Sequence, residues 1–457
     1  MKVETPMNIQ IAGKTDGDGK SDSGKNGMAT PKVLLVETSR LPYIALFAID
    51  LATAGADVSC VCPARHPMLK TQAIRRTFPY RGVRPVESLI NAIEATNPHI
   101  IIPCDDRAVR HLHELHDYAR ELGARGSEIT ALIEKSLGSP QSYPIVSGRY
   151  NLIRIAQEEG LSVPVTAQIK SQSDLKSWQQ HQAFPWVLKA DGTYGGDGVR
   201  IAHTMEQAEK FFLELTHFYT PGRAVKRLFV NRDAFWLRPW WKGVKPTISV
   251  QSYIKGCPAN CAAVCWEGKV LACIGVKVVC AAGETGSASV VRVMDNPADM
   301  MVCAQRIARR LGLSGFFGLD FIIEEGTGSA YLIEMNPRPT RVSRLQLGKG
   351  HDLIGALRAQ LSNQPIRDIP PVTHNKMIAY FPDALDLNRE ILDASFHDVP
   401  HGYPDLMREL HQPWPTRTLL WRLADQMELL KRFLRRHVFN RTPADQGGWA
   451  FQRRSRP

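Results

Sequence analysis

Two carboxylates that face each other across a β-hairpin constrain this 457-residue chain more than any other feature. Residues Gly315 to Arg341 read GFFGLDFIIEEGTGSAYLIEMNPRPTR. Apolar and polar residues alternate from Gly318 to Glu324. Two glycines mark a turn between Glu325 and Ser329, and Ala330 to Met335 resumes the alternation. A turn centred on Thr327 sets Asp320 directly opposite Glu334, and Asn336, two positions further on, projects from the same face. Opposed carboxylates repel across a ladder unless a cation lies between them. An oxygen-only set of two carboxylates and an amide suits a hard divalent ion such as Mg²⁺, whose remaining positions go to phosphate oxygens and water. The plain alternative is a solvated acidic face.

A second stretch, PWVLKADGTYGGDGVRIA, points to the same chemistry from the other side. Trp186 to Ala190 reads as a strand carrying Lys189, Gly192 to Gly198 as a glycine loop, and VRIA as the returning strand. This is no Walker loop, because no Gly-Lys-Ser/Thr follows and no helix opens after it. A glycine hairpin with a lysine at its base suits a lid over phosphates: Gly192, Gly195 and Gly196 let backbone N–H groups approach oxygens, and Lys189 supplies a point charge.

Elsewhere the chain alternates strand and helix signals. KVLLVET from Lys32, a helical pattern from Ile44 to Ala54, a strand from Asp57 to Cys62, a helix from Val86 to Thr96 and the strand HIIIPCDD imply a parallel α/β sheet. The first turn of that sheet, Glu37-Thr38-Ser39-Arg40, lacks the glycines of a dinucleotide site. Asp105 and Asp106 lie at the carboxyl end of a strand, where they either meet a ligand or cap the next helix. Helical spacing recurs over Arg149–Gly160, Met205–His217 and Ala298–Leu311. NKMIAYFPDAL, beyond a proline-rich junction, reads as one more strand.

Nine cysteines scattered through apolar segments point to reduced thiols and a cytoplasmic setting rather than a disulfide framework. The net charge of +12 resembles a nucleic-acid signal until it is located. Eleven Lys/Arg against five Asp/Glu from Asp405 onward place half of it in the last segment, no nucleic-acid motif accompanies it, and no nucleic-acid partner is expected. Within that segment, Arg417 to Phe439 has the spacing of a basic amphipathic helix. Such a helix lies on an anionic membrane surface or packs on its own enzyme or a partner subunit.

Lys189 with its glycine loop, the strand QSYI and DFIIEEGTGSAYLIEMNPR, in that order, resemble the ATP-grasp superfamily, in particular its carboxylate-amine and carboxylate-thiol ligases. The likeness to the ATP-grasp domain of biotin carboxylase and of carbamoyl-phosphate synthase spans about Gln141 to Gln360, in a single copy. The resemblance implies a fold of mixed α/β and α+β class. A disordered leader (1–30) would precede a parallel α/β pre-ATP-grasp domain (31–135). An ATP-grasp domain of two subdomains clamping ATP (136–365) and a C-terminal extension with the basic helix (366–457) would follow.

The resemblance also assigns roles. Lys189 would contact ATP phosphates, with Gly192, Gly195 and Gly196 in the mobile lid. Gln251, Ser252 and Ile254 would form the adenine hinge, and Asp320, Glu334 and Asn336 would bind one or two Mg²⁺ ions, with Mn²⁺ as a substitute. Arg338 would reach the substrate carboxylate or the transferred phosphoryl group. Arg149 stands where many members have a phosphate-contacting lysine, and Gln251 where many have an acid. Similar enzymes use the segment VVCAAGETGSASVVRV beside the substrate, which makes Lys277, Glu284 and Arg292 candidates, with a plain surface loop as the alternative. The implied activity is ADP-forming activation of a small-molecule carboxylate as an acyl phosphate, attacked by an amine or other nucleophile, in an enzyme with a homodimer as one expected assembly. A non-catalytic ATP-binding scaffold and a small-molecule kinase of the same fold are the alternatives.

Overall fold

The computed structural model describes residues 30–193, 198–222, 228, 240–241, 243, 245–281, 286–385 and 387–412. The leader to residue 29, Gly195, Gly196, Glu284 and the helix expected over 417–439 lie outside the described residues.

The first sheet is parallel, in the order β3-β2-β1-β4, from β1 (Lys32–Val36), β2 (Asp57–Cys62), β3 (Ile74–Pro79) and β4 (Ile100–Pro103). Helices α1 (Tyr43–Thr53), α2 (Pro85–Thr96), α3 (Asp106–Ala119) and α4 (Ala124–Leu137) connect and follow its strands. β1 and β4 are apolar runs because both faces of the sheet are covered, one by α2, α3 and α4 and the other by α1 and a further sheet. β3 is an edge strand with exposed arginines and a terminal proline, a pattern that hides it in the sequence.

After α5 (Arg149–Glu158), a four-stranded antiparallel sheet runs β5-β8-β6-β7. Its strands are β5 (Thr166–Ile169), β6 (Trp186–Ala190), β7 (Val199–Ala202) and β8 (Ile248–Ser252). Alternation decides its two faces. Trp186, Leu188, Ala190, Ile248 and Val250 pack into one core with α6 (Gln172–Gln179) and α7 (Met205–Thr216). Lys189, Ser249 and Gln251 consequently point the other way.

The third sheet has seven strands, β13-β12-β9-β10-β11-β14-β15, antiparallel except for the last pair. It comprises β9 (Gly256–Trp266), β10 (Lys269–Ala281), β11 (Ala288–Val293), β12 (Gly315–Glu324), β13 (Ala330–Asn336), β14 (Met377–Tyr380) and β15 (Phe396–Asp398), and so takes in residues on both sides of 365. On one face, Ala259, Cys261, Ala263 and Cys265 of β9 join Phe317, Leu319 and Phe321 of β12 against α8 (Ala298–Leu311) and α5. Burial of Phe317 and Phe321 contributes about 1.5–3 kcal/mol each relative to exposure. On the other face, Ala262, Val264 and Phe316 share a core with Val33, Leu35 and Phe47 of the first sheet and α1. The two units are thus joined by a common apolar core. The free thiols are buried except Cys257. No helix among the described residues is long and apolar enough to cross a membrane.

Candidate functional site

The hairpin pairs Asp320 with Glu334 and Gly318 with Asn336, as the turn position requires. Below that point the constant register expected from the sequence breaks. Phe321 faces Leu332, which leaves Ile333 as the extra residue of a bulge. The bulge has two consequences. Leu332 turns into the core with Phe321 while Glu334, two residues away, stays on the site face, which an unbroken strand would forbid. The Ile333 carbonyl, released from the ladder, accepts a hydrogen bond from Lys189 Nζ at 3.0 Å.

Asp320 is held by amides on both sides: Asn260 Nδ2 donates to Oδ1 at 2.6 Å and Asn336 Nδ2 to Oδ2 at 3.0 Å. Burial, then the nearby Glu334 charge, pushes its carboxyl up to about 6. Glu334 receives Arg149: Nε and Nη2 donate to Oε1 at 3.1 and 2.7 Å. Arg149 opens α5, whose Leu152, Ile155 and Ala156 pack beneath the hairpin and so aim the first turn at Glu334.

Across the cleft, Lys189 is 4% exposed, and burial draws its ammonium down to about 8. Beside it on the same sheet face, Gln251 Nε2 and Ser249 Oγ are buried without a hydrogen-bond partner. Unpaired buried donors are costly, and a row of them beside a buried lysine is a face shaped for a polar ligand. Ser249 was not singled out in the sequence. Its signal was the alternation of TISVQS, which puts it on the Gln251 face. The Ser252 amide donates to the Val165 carbonyl at 2.9 Å, so that donor of the expected adenine hinge is already committed. Gly192 has φ +75°, and a Cβ there would lie 2.9 Å from the Tyr219 hydroxyl.

Arg338 leaves the hairpin and crosses to the first domain. Nε and Nη2 donate to the two oxygens of Asp106 at 3.1 and 3.3 Å, Nη1 to Tyr43 Oη at 3.2 Å and Nη2 to Asn336 Oδ1 at 3.0 Å. Gly318 permits this path, because a Cβ there would meet Thr340 Cγ2 at 2.5 Å. The neighbouring aspartates divide the two roles open to them. Asp105 caps α3 through Ala108 N and binds Thr38 N and Oγ1, whereas Asp106 is the partner of Arg338. Lys277 and Arg292 face each other on β10 and β11, away from these contacts.

Asp320, Glu334, Asn336, Lys189, Arg149 and Arg338 therefore converge where the second sheet, the third sheet and the first domain meet. The donor set at the hairpin is oxygen-only and its carboxylates are opposed, so it fits a hard divalent cation. Two sheets thus enclose a cleft with a lysine on one wall and paired carboxylates on the other.

Comparison with known proteins finds a similar fold. A family model described as an ATP-grasp domain matches residues 238–342. Over those residues the chain is similar to the ATP-grasp family. It is 21% identical over 224 residues to carbamoyl-phosphate synthase of Methanobrevibacter smithii, covering 46% of this chain and 53% of that protein. The chain thus spans about half the length of this curated relative. Among solved structures, N5-carboxyaminoimidazole synthase of Aspergillus clavatus, in complex with ADP and 5-aminoimidazole ribonucleotide, has a TM-score of 0.53 at 14% identity, over 74% of this chain and 78% of that one. Biotin carboxylase of Campylobacter jejuni, in a β-γ-ATP complex, has a TM-score of 0.51 at 16% identity, over 76% and 73%. At such identities the likeness is one of fold.

Proposed function

We propose that this protein is an ATP- and Mg²⁺-dependent ligase that activates a small-molecule carboxylate as an acyl phosphate, releases ADP, and passes the acyl group to an amine or other nucleophile. The observation that carries this reading is the cleft itself, with Lys189 and the unpaired Gln251 and Ser249 on one wall and Asp320 opposite Glu334 on the other.

Gln251 and Ser249 donate to the nucleotide, and Lys189, protonated below about pH 8, to its phosphates. Asp320, Glu334 and Asn336 would hold Mg²⁺, which would supply neutralisation of the phosphate charge. Arg338 orients the substrate carboxylate. A carboxylate oxygen attacks the γ-phosphorus, the bond to the β,γ-bridging oxygen breaks, and ADP leaves with that electron pair. The nucleophile then attacks the acyl carbon, phosphate departs with the C–O electrons, and an amine nucleophile gives its proton to solvent.

Incubation of the protein with ATP, Mg²⁺ and pooled carboxylates and amines tests this. ADP and phosphate formed only with a particular pool, and lost in Asp320→Ala and Glu334→Gln, support the ligase. AMP and pyrophosphate contradict it. A stable phosphorylated product makes the protein a kinase, and nucleotide binding without turnover in any pool makes it a scaffold.

A further inference from the structure

Arg149 does more at the cleft than donate to a carboxylate. Nε and Nη2 bind Glu334 Oε1, Nη2 also reaches the Thr193 carbonyl at 2.9 Å, and Nη1 binds the Ala190 carbonyl and Thr193 Oγ1, the latter at 3.3 Å. Its backbone amide donates to Asp191 Oδ1 at 3.3 Å. One guanidinium therefore ties the hairpin to the segment that leaves β6, and every group it touches is an acceptor. The side chain is 12% exposed, so solvent does little to screen the pair. Lys189, the other cation at this wall, donates to the Ile333 carbonyl instead. Arg149 is thus the cation hydrogen-bonded to Glu334, while Asp320 accepts hydrogen bonds from neutral amides.

A divalent ion on Glu334 and a guanidinium on the same carboxylate oxygen repel each other and compete for its lone pairs. Building on the reading that Asp320, Glu334 and Asn336 hold the metal, we propose that Arg149 is a positioning residue that serves as the internal counter-ion of the metal position: its guanidinium holds Glu334 until a divalent cation takes that carboxylate, and the exchange releases the Ala190–Thr193 segment from β13. Binding free energies couple reciprocally. A cation at Glu334 loosens Arg149, and loss of Arg149 strengthens cation binding. A residue that merely stabilised the fold would have no such effect on metal affinity.

The test uses Mn²⁺ alone with the full chain and no nucleotide, read by the electron paramagnetic resonance of free Mn²⁺ and by the Mn²⁺-induced shift in Tm. Arg149→Gln is expected to bind Mn²⁺ about tenfold more tightly than the unmodified protein and to show the larger Tm shift, because Mn²⁺ restores a partner to Glu334. Arg149→Lys, which keeps the charge but loses the fork, is expected to fall between the two and serves if Arg149→Gln does not fold. Equal or weaker Mn²⁺ binding in the folded variants, or none in any form, overturns the proposal. Asp320→Ala separates the two levels of failure. If it binds Mn²⁺ as the unmodified protein does, the metal assignment fails and the proposal with it. If it loses Mn²⁺ while the Arg149 variants are unchanged, the proposal alone fails.

Discussion

Arg149 and Arg338 both close an ion pair over the cleft and are buried to a similar degree, with side chains 12% and 15% exposed. Their partners lie 185 and 232 residues away in the chain. The difference lies in what those partners otherwise do. Glu334 belongs to the carboxylate pair of the hairpin, so in the proposed role its bond to Arg149 and a bond to a cation are alternatives. Asp106 opens α3 in the first domain and is 44% exposed, so its bond to Arg338 is a tie across the seam between domains. The two arginines are buried alike, and the chemistry of the partner separates the pair proposed to exchange with a cation from one that can persist.

Four outcomes sharpen that contrast. Asp320→Ala removes a hairpin oxygen ligand and is expected to lower ADP release by about 10³-fold, with circular dichroism unchanged. Arg338→Ala is expected to cost about 10²-fold in turnover, while Asp106→Asn costs less than about threefold, as befits a half-exposed tie. Equal losses in steady-state kinetics would make Asp106 part of the machinery and erase the distinction drawn between the pairs.

The third outcome concerns pH. Burial favours the neutral amine of Lys189, so the nucleotide-free protein loses that proton near pH 8 instead of in the ordinary lysine range. ATP affinity is expected to be full below pH 8 and to fall about tenfold by pH 9 to 10, with Lys189→Arg moving the inflection out of range; calorimetric titrations across that interval check it. The fourth is a structural contrast. Arg344 joins Asp50 of α1 to Asp398 of β15 and is 13% exposed. Arg344→Ala leaves two buried acids without their cation and is expected to cost about 3–5 kcal/mol in urea unfolding, with ATP affinity unchanged.

The parts legible in the sequence were those set by local period. Alternation around a two-glycine turn gave the Asp320–Glu334 pair, and the same rule placed Lys189 on a strand before a glycine loop. The bulge at Ile333 carries no glycine or other marker, so the slip that puts Leu332 in the core and Glu334 in the site was invisible. The partners of Arg149 and Arg338 were equally hidden, because no local pattern links residues so far apart. Asp105 and Asp106 show the boundary well. Their position at a strand end was readable, but which one caps the helix and which crosses the seam depends on where Thr38 and Arg338 arrive.

The most direct test of the account is calorimetric titration of ATP into the protein with and without Mg²⁺, repeated with Asp320→Ala. Mg²⁺ is expected to tighten ATP binding in the unmodified protein, and this dependence is expected to vanish in the variant. The same Mg²⁺ dependence in both proteins would contradict it, because the cation joining nucleotide to protein would then lie somewhere other than the carboxylate hairpin.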